Sequence, residues 1–162
     1  MKVKEIMMGA PYVCRRDTNL GEATRLMWVG NCGFLPVLNN EGHVCGVITD
    51  RDICMALGTR SKLAGDVSVG EVATGKVYSC SPDDEIHVAL LTMRDGHVRR
   101  LPVVDGDGKI VGVLSMDDIL MHAQPASSGQ VVDLSTEEVV RTFRGIPGSN
   151  LPQVLKRHRA AA

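Results

Sequence analysis

The sequence predicts an α+β fold made of two copies of one β-α-β-β-α unit, followed by a short C-terminal helical tail. Val3 to Ile53 laid on Val69 to Ile119, 66 residues further on and without a gap, matches at 17 of 51 positions. A repeat of this length is one supersecondary unit copied. Within each copy, apolar residues at helical spacing are followed by two short strand-like runs. The order is mixed rather than a regular βαβ alternation, so sheets packed against helices are expected rather than a single parallel sheet. Two such copies bury their apolar faces against each other, which makes the space between the halves the expected functional region.

The elements follow in the same order twice. A short opening strand, Tyr12-Val13-Cys14 and then Tyr78-Ser79-Cys80, leads to a turn at Asp17 and at Ser81-Pro82-Asp83. Leu20, Ala23 and Met27, and in the second copy Ile86, Ala89, Leu90 and Met93, recur at three- and four-residue spacing and define a helix. Gly30 and Gly96 are expected to end these helices as C-cap glycines. Strands are expected over Phe34 to Leu38 and Val44 to Ile48, then over Leu101 to Val104 and Lys109 to Leu114. Asn39-Asn40-Glu41-Gly42 and Asp105-Gly106-Asp107-Gly108 are hairpin turns between them. A second helix starts at Asp50 and at Met116.

These signals divide the chain into a first repeat at 1–58, a linker at 59–68, a second repeat at 69–122 and a tail at 123–162. In the tail, Ser135-Thr136-Glu137-Glu138 before Val139-Val140 is the signature of a capping box opening a short helix, closed by Gly145, Pro147 and Gly148. Lys156-Arg157-His158-Arg159 forms a basic end. A tail of about 40 residues is too short for an independent effector domain.

Composition narrows the function classes. The 162 residues are 44% hydrophobic and 23% charged with a net charge of −1, which gives no basic field for nucleic acid or an anionic membrane. Scarce aromatics (Trp28, Phe34, Phe143, Tyr12, Tyr78) argue against a base-stacking platform. No apolar run reaches membrane-span length, and Met1-Lys2-Val3-Lys4-Glu5 lacks the core of a signal peptide. The five cysteines are odd in number and contain no C-x-x-C, so a cytoplasmic chain with reduced thiols is expected. Cys14 and Cys80, equivalent in the repeat, are read as small core residues. His43, His87, His122 and His158 form no spaced cluster, and no metal site is expected.

The candidate site is the doubled segment Gly46-Val47-Ile48-Thr49-Asp50-Arg51-Asp52 and Gly112-Val113-Leu114-Ser115-Met116-Asp117-Asp118. In each, a strand ends at a hydroxyl residue that begins a helix, with a carboxylate three residues later on the same face. A helix N-terminus offers N–H groups to a phosphate, and a carboxylate can accept hydrogen bonds from a vicinal diol. A ribose 5′-phosphate carries both groups. The same residues also serve simple helix capping, but recurrence behind the same Leu-Pro-Val and Gly lead favours a ligand site.

The doubled Leu-Pro-Val (Leu35-Pro36-Val37, Leu101-Pro102-Val103), the doubled Gly-x-x-[Thr/Ser]-x-x-Asp and the opening Val3-Lys4-Glu5-Ile6-Met7 closely resemble a stand-alone tandem CBS-domain pair, the cystathionine-β-synthase-type regulatory module. The resemblance covers residues 1 to about 122. It implies two units packed through their sheets with two clefts between them, no catalytic residues, and an adenine-nucleotide ligand: AMP, ADP or ATP, with NAD or S-adenosylmethionine as further candidates. It also implies a homodimer that signals to a separate target protein. Carried over by residue, it assigns Thr49 and Asp52 to one cleft and Ser115 and Asp118 to the other. Gly33, Phe34, Leu35 and Pro36 would line the first base pocket, and Val98, Arg99, Arg100 and Pro102 the second. Val13-Cys14 and Ser79-Cys80 would present their backbone to the adenine edge.

The copies differ in one respect. His97-Val98-Arg99-Arg100 is basic, whereas Asn31-Cys32-Gly33-Phe34 carries no charge, so phosphate binding is expected in the second cleft. Adjacent strand residues face opposite sides, so only one of Arg99 and Arg100 points into a given cleft. Arg51 is read as a surface residue. Against the sensor reading stand a ligand-free dimerisation scaffold and, more weakly, a nucleotide hydrolase with Asp52 or Asp118 as base.

Overall fold

A computed structural model describes residues 1–125 and 132–146. The basic stretch Lys156–Arg159 and the closing Pro147 and Gly148 lie outside the described residues. The expected α+β architecture is present, as two three-stranded sheets with helices packed on them and a C-terminal helix.

In the first half, β2 (Cys14–Arg15), α1 (Leu20–Val29), β3 (Phe34–Leu38), β4 (Val44–Thr49) and α2 (Asp50–Arg60) follow one another; β1 (Met8–Gly9) precedes them. The second half contributes α3 (Ile86–Gly96), β5 (Arg100–Val104), β6 (Ile110–Ser115) and α4 (Met116–His122), then α5 (Thr136–Gly145). Both hairpins close as their turn residues dictate: the Asn39 and Asp105 side chains each accept two backbone N–H bonds across the turn. Residues of one parity (Leu35, Val37 and Ile48; Leu101, Val103 and Leu114) turn toward the helices and are buried.

The cores cross between the repeats. Val67 and Val69 are sealed into the core of residues 14–56, while Val3 and Ile6 are sealed into that of residues 80–119. Repeat-equivalent backbone bonds fix both crossings. Val3 N donates to Asp84 O at 2.9 Å and Val69 N to Thr18 O at 2.8 Å, while Ile86 N reaches Met1 O at 3.0 Å and Leu20 N reaches Val67 O at 2.9 Å. The strand β1 pairs antiparallel with β6 of the other half, and Thr74, its repeat equivalent, pairs with Val47 of β4. This explains the doubled Gly-Val: a Cβ on Gly46 would stand 3.0 Å from Thr74 O, and one on Gly112 2.9 Å from Met8 O.

Gly30 and Gly96 do not end their helices through a left-handed conformation. Gly30 has φ −79°, and the left-handed residues are the next ones, Asn31 (φ 45°) and His97 (φ 52°). The glycines make room instead: a Cβ would meet the Tyr12 ring at 2.6 Å and the Tyr78 ring at 2.8 Å.

The apolar residues that define α1 and α3 are buried within the chain. Leu20, Ala23, Met27, Ile86, Ala89 and Met93 are each 5% exposed or less. The exposed apolar side chains are others, Trp28 (85%) and Met55 (54%) on α1 and α2 among them. Ser135 caps α5 by accepting from Glu138 N, but the Glu138 carboxylate reaches His87 Nδ1 at 2.7 Å rather than completing the box. The apolar side of α5 packs on α3 and α4, adding Val139 and Ile146 to the second core.

Cys14 and Cys80 are buried, as their core reading requires. Desolvation pushes their thiols up, to about 11 and about 12, with Cys45 and Asp84 adding smaller contributions. At about pH 8 these thiols stay protonated and unreactive. Iodoacetamide is therefore expected to label the exposed Cys54 in native protein, and Cys14 and Cys80 only after unfolding; mass spectrometry finding early label on Cys14 or Cys80 contradicts their burial.

Candidate nucleotide site

Each candidate pair forms a reciprocal capping box at the strand-to-helix junction. Asp52 Oδ2 accepts from Thr49 Oγ1 at 2.7 Å and from Thr49 N at 3.0 Å, and Thr49 Oγ1 accepts from Asp52 N at 3.2 Å. In the second copy the corresponding distances for Ser115 and Asp118 are 2.6, 2.8 and 3.1 Å. The boxes explain why these residue types recur at this spacing without any ligand. They occupy one carboxylate oxygen. The other, Oδ1 of Asp52 and of Asp118, makes no hydrogen bond among the described residues and keeps its full acceptor capacity for a diol.

The N–H groups expected to be open for phosphate are mostly engaged. Asp50 N donates to Gly33 O at 3.3 Å and Arg51 N to the Asp50 carboxylate at 2.7 Å. At α4, Met116 N donates to Arg99 O at 3.0 Å, and Asp117 N remains without a partner among the described residues. The first site therefore carries a carboxylate where an anion would sit, and the second does not.

Strand register decides what faces the two hydroxyls. Phe34 lies directly opposite Thr49, and Arg100 directly opposite Ser115, both on the sheet face away from the Leu35–Ile48 and Leu101–Leu114 core pairs. A phenyl ring and a guanidinium thus occupy equivalent positions. Arg99 belongs to the helix side, its guanidinium 4.9 Å from the centroid of the Phe143 ring on α5. Leu35 is fully buried in the first core and Val98 packs against the second, so only their backbone can line a cleft. Pro36 and Pro102 are buried mid-strand, opposite Val47 and Val113. Cys14 pairs in parallel with Val37 of β3 and Cys80 with Val103 of β5, so Val13 and Ser79 directly precede the residues that join those strands.

Two neighbours of the first site were not singled out from the sequence. A hollow of about 290 Å³ beside Asp52 is walled by Arg60, Glu71 and Val72, with Arg60 Nη1 3.7 Å from the Glu71 carboxylate. Hydrogen bonds from Ser68 hold the Glu71 carboxyl below its ordinary value, with Lys62 and Arg60 contributing less. The identity of Glu5 and Glu71 within the repeat was the available signal. A larger cavity of about 580 Å³ opens between α1 and α2 next to the first junction, lined by Met27, Trp28, Gly33, Asp50 and Cys54 among others. Among the described residues no His, Cys, Asp or Glu cluster could hold a metal, and no helix is long and apolar enough to cross a membrane.

The CBS domain family matches the chain twice, at residues 3–59 and 69–124. The uncharacterized protein MJ1404 of Methanocaldococcus jannaschii is 41% identical over 119 residues, 74% of this chain and 28% of that protein. A 17.7 kDa protein of Acidianus ambivalens is 32% identical over 118 residues, 73% of this chain and 70% of that one. The chain thus spans little more than a quarter of the first relative and over two thirds of the second. Among solved structures, the CBS domain pair of protein MJ0100, in complex with 5′-methylthioadenosine and S-adenosyl-L-methionine, superposes with a TM-score of 0.67 at 26% identity, covering 74% of this chain and 92% of that one.

The two matched segments coincide with the two halves whose strand-to-helix junctions carry the hydroxyl–carboxylate pairs. This chain belongs to the CBS domain family, as a tandem pair.

Proposed function

We propose that this CBS pair is an adenine-nucleotide sensor that acts on a separate target protein, with the Ser115 and Asp118 cleft as its tighter site. The observation that carries the reading is the cross-strand apposition of Arg100 and Ser115 beside a carboxylate with one oxygen uncommitted. Ribose hydroxyls would donate to Asp118 Oδ1, while Arg100 and Asp117 N would receive the phosphate. The adenosine ligands of the MJ0100 pair support the ligand class. AMP, ADP and ATP fit the charge of the second cleft better than S-adenosylmethionine, which has no phosphate; NAD remains a candidate for the same contacts.

Calorimetry of the chain against adenosine, AMP, ATP and S-adenosylmethionine tests this directly. Binding of AMP in preference to adenosine is expected; no binding by any of the four leaves the scaffold reading. Arg100→Gln should reduce AMP affinity about tenfold or more, as loss of a charged hydrogen bond does, and leave adenosine nearly unaffected. Arg99→Gln should not discriminate between the two ligands. An Arg99→Gln variant that selectively loses AMP would reverse the assignment of the arginines. Turnover of ATP by the purified chain would favour the hydrolase reading, with the uncommitted oxygen of Asp52 or Asp118 as base.

The exposed Trp28 at the α1–α2 cavity favours a homodimer through this face. Light scattering at tens of micromolar that finds only monomer, with and without AMP, removes that part of the proposal.

A further inference from the structure

We propose that Phe143 on α5 is a positioning residue for the second cleft, so that docking of the C-terminal helix and ligand binding at Ser115 and Asp118 favour one another. This rests on the nucleotide reading above and goes beyond it by tying the tail to one of the two sites. The helix α5 is anchored along α3 at both ends. His87 meets Glu138 at 2.7 Å near the start, and Gly145 lies so close to Arg94 that a Cβ would meet its Cγ at 3.1 Å.

The first half offers none of these anchors: Gly21, Trp28 and Gly33 stand where His87, Arg94 and Arg99 do. The helix therefore modifies one site of a pseudo-symmetric pair.

The connection to the cleft runs through one residue. The Arg99 side chain stacks on Phe143, and its carbonyl accepts from Met116 N, the first N–H of α4. Ser115 immediately precedes Met116 and Arg100 immediately follows Arg99. Arg99 lies in the bend just before β5, so holding its side chain on α5 fixes the carbonyl to which the N-terminus of α4 bonds. Releasing Phe143 frees Arg99 to rotate, which loosens the N-terminus of α4 and with it the Ser115–Asp118 box that both adenosine and AMP need. By linkage, a ligand that needs the Ser115–Asp118 junction in place must in turn stabilise the docked α5.

The test uses the full chain with Phe143→Ala, Phe143→Trp, Arg99→Met and the Phe143→Ala/Arg99→Met double variant. Phe143→Ala and Arg99→Met should each weaken AMP and adenosine alike, by about two- to fivefold, the size of an exposed cation–π contact. The double variant should lose no more than either single one, since both remove the same contact. Phe143→Trp should restore parental affinity. Saturating AMP should slow amide exchange within α5 of the parent and have no such effect in Phe143→Ala.

A readout without ligand accompanies these. The Met116 amide should exchange faster in Phe143→Ala than in the parent, while the equivalent Asp50 amide is unchanged. Additive losses in the double variant, or an unchanged Met116 amide, overturn the coupling. A responsive Met116 amide in a chain that binds neither adenosine nor AMP overturns the nucleotide reading and leaves the coupling standing.

Discussion

Val3→Asp is expected to damage the second half of the molecule and Val69→Asp the first, although each residue opens the opposite repeat in the sequence. Both valines are fully buried, Val3 among Ile86, Leu101 and Leu114 and Val69 among Leu20, Leu35 and Ile48. Losing the side chain costs about 1.5–3 kcal/mol of burial, and an unpaired carboxylate in the same space adds several more. A total on the order of 4 kcal/mol or more is a large share of a stability of about 5–15 kcal/mol.

Amide exchange locates the damage. Val3→Asp should raise exchange first in β5 and β6, and Val69→Asp first in β3 and β4. The opposite pattern would mean that each sequence repeat closes its own core. For the same reason a fragment of residues 1–60 should not fold alone, because it lacks Val67 and Val69; cooperative unfolding of that fragment by circular dichroism would contradict the crossing.

That crossing was the part of the fold least legible in the sequence. Hairpins and helix starts are local: Asn39 and Asp105 bond to backbone two and four residues on, and Thr49 and Ser115 to residues three on, so their chemistry can be read from short windows. The strand β1 is two residues long, and its partner lies about a hundred residues away, so nothing in its neighbourhood marks it as a strand. Gly46 and Gly112 were visible as a doubled motif, but their cause, the close approach of the crossing backbone, needs the register.

The helix-end glycines were legible by position but not by cause. Gly30 is the C-cap residue of α1 and Gly96 the last residue of α3, and a repeat-matched tyrosine ring lies against each. At the site, the expected alternation of Arg99 and Arg100 along a strand does not apply, because Arg99 lies in the bend before β5. Two tertiary facts decide which arginine faces the cleft: Arg100 pairs across the strand with Ser115, and Arg99 stacks on a helix about 40 residues later. The tail helix itself was legible from Ser135 and Glu138, whereas the redirection of Glu138 to His87 depended on where the helix docks.

Asp118→Ala is expected to weaken AMP binding more than Asp52→Ala does. Removing the carboxylate deletes a charge-assisted contact to ribose worth roughly 1.5–3 kcal/mol, or about 10- to 150-fold in affinity. It also removes half of the box that starts α4, so some loss of stability, on the order of 1 kcal/mol, accompanies it. Asp118→Asn separates the two effects: the amide oxygen can still accept from the Ser115 N–H, while the charge presented to the ribose is gone. Stability near the parent with AMP affinity near that of Asp118→Ala is the expected signature. The ranking follows from what surrounds each junction. At the first, Phe34 opposes Thr49 and the Asp50 carboxylate already sits on Arg51 N, so an anionic ligand meets a phenyl ring and a like charge. At the second, Arg100 opposes Ser115 and the Asp117 N–H is uncommitted among the described residues. Calorimetry in which Asp52→Ala is the more damaging change would place the tighter site in the first cleft and detach the arginines from ligand binding.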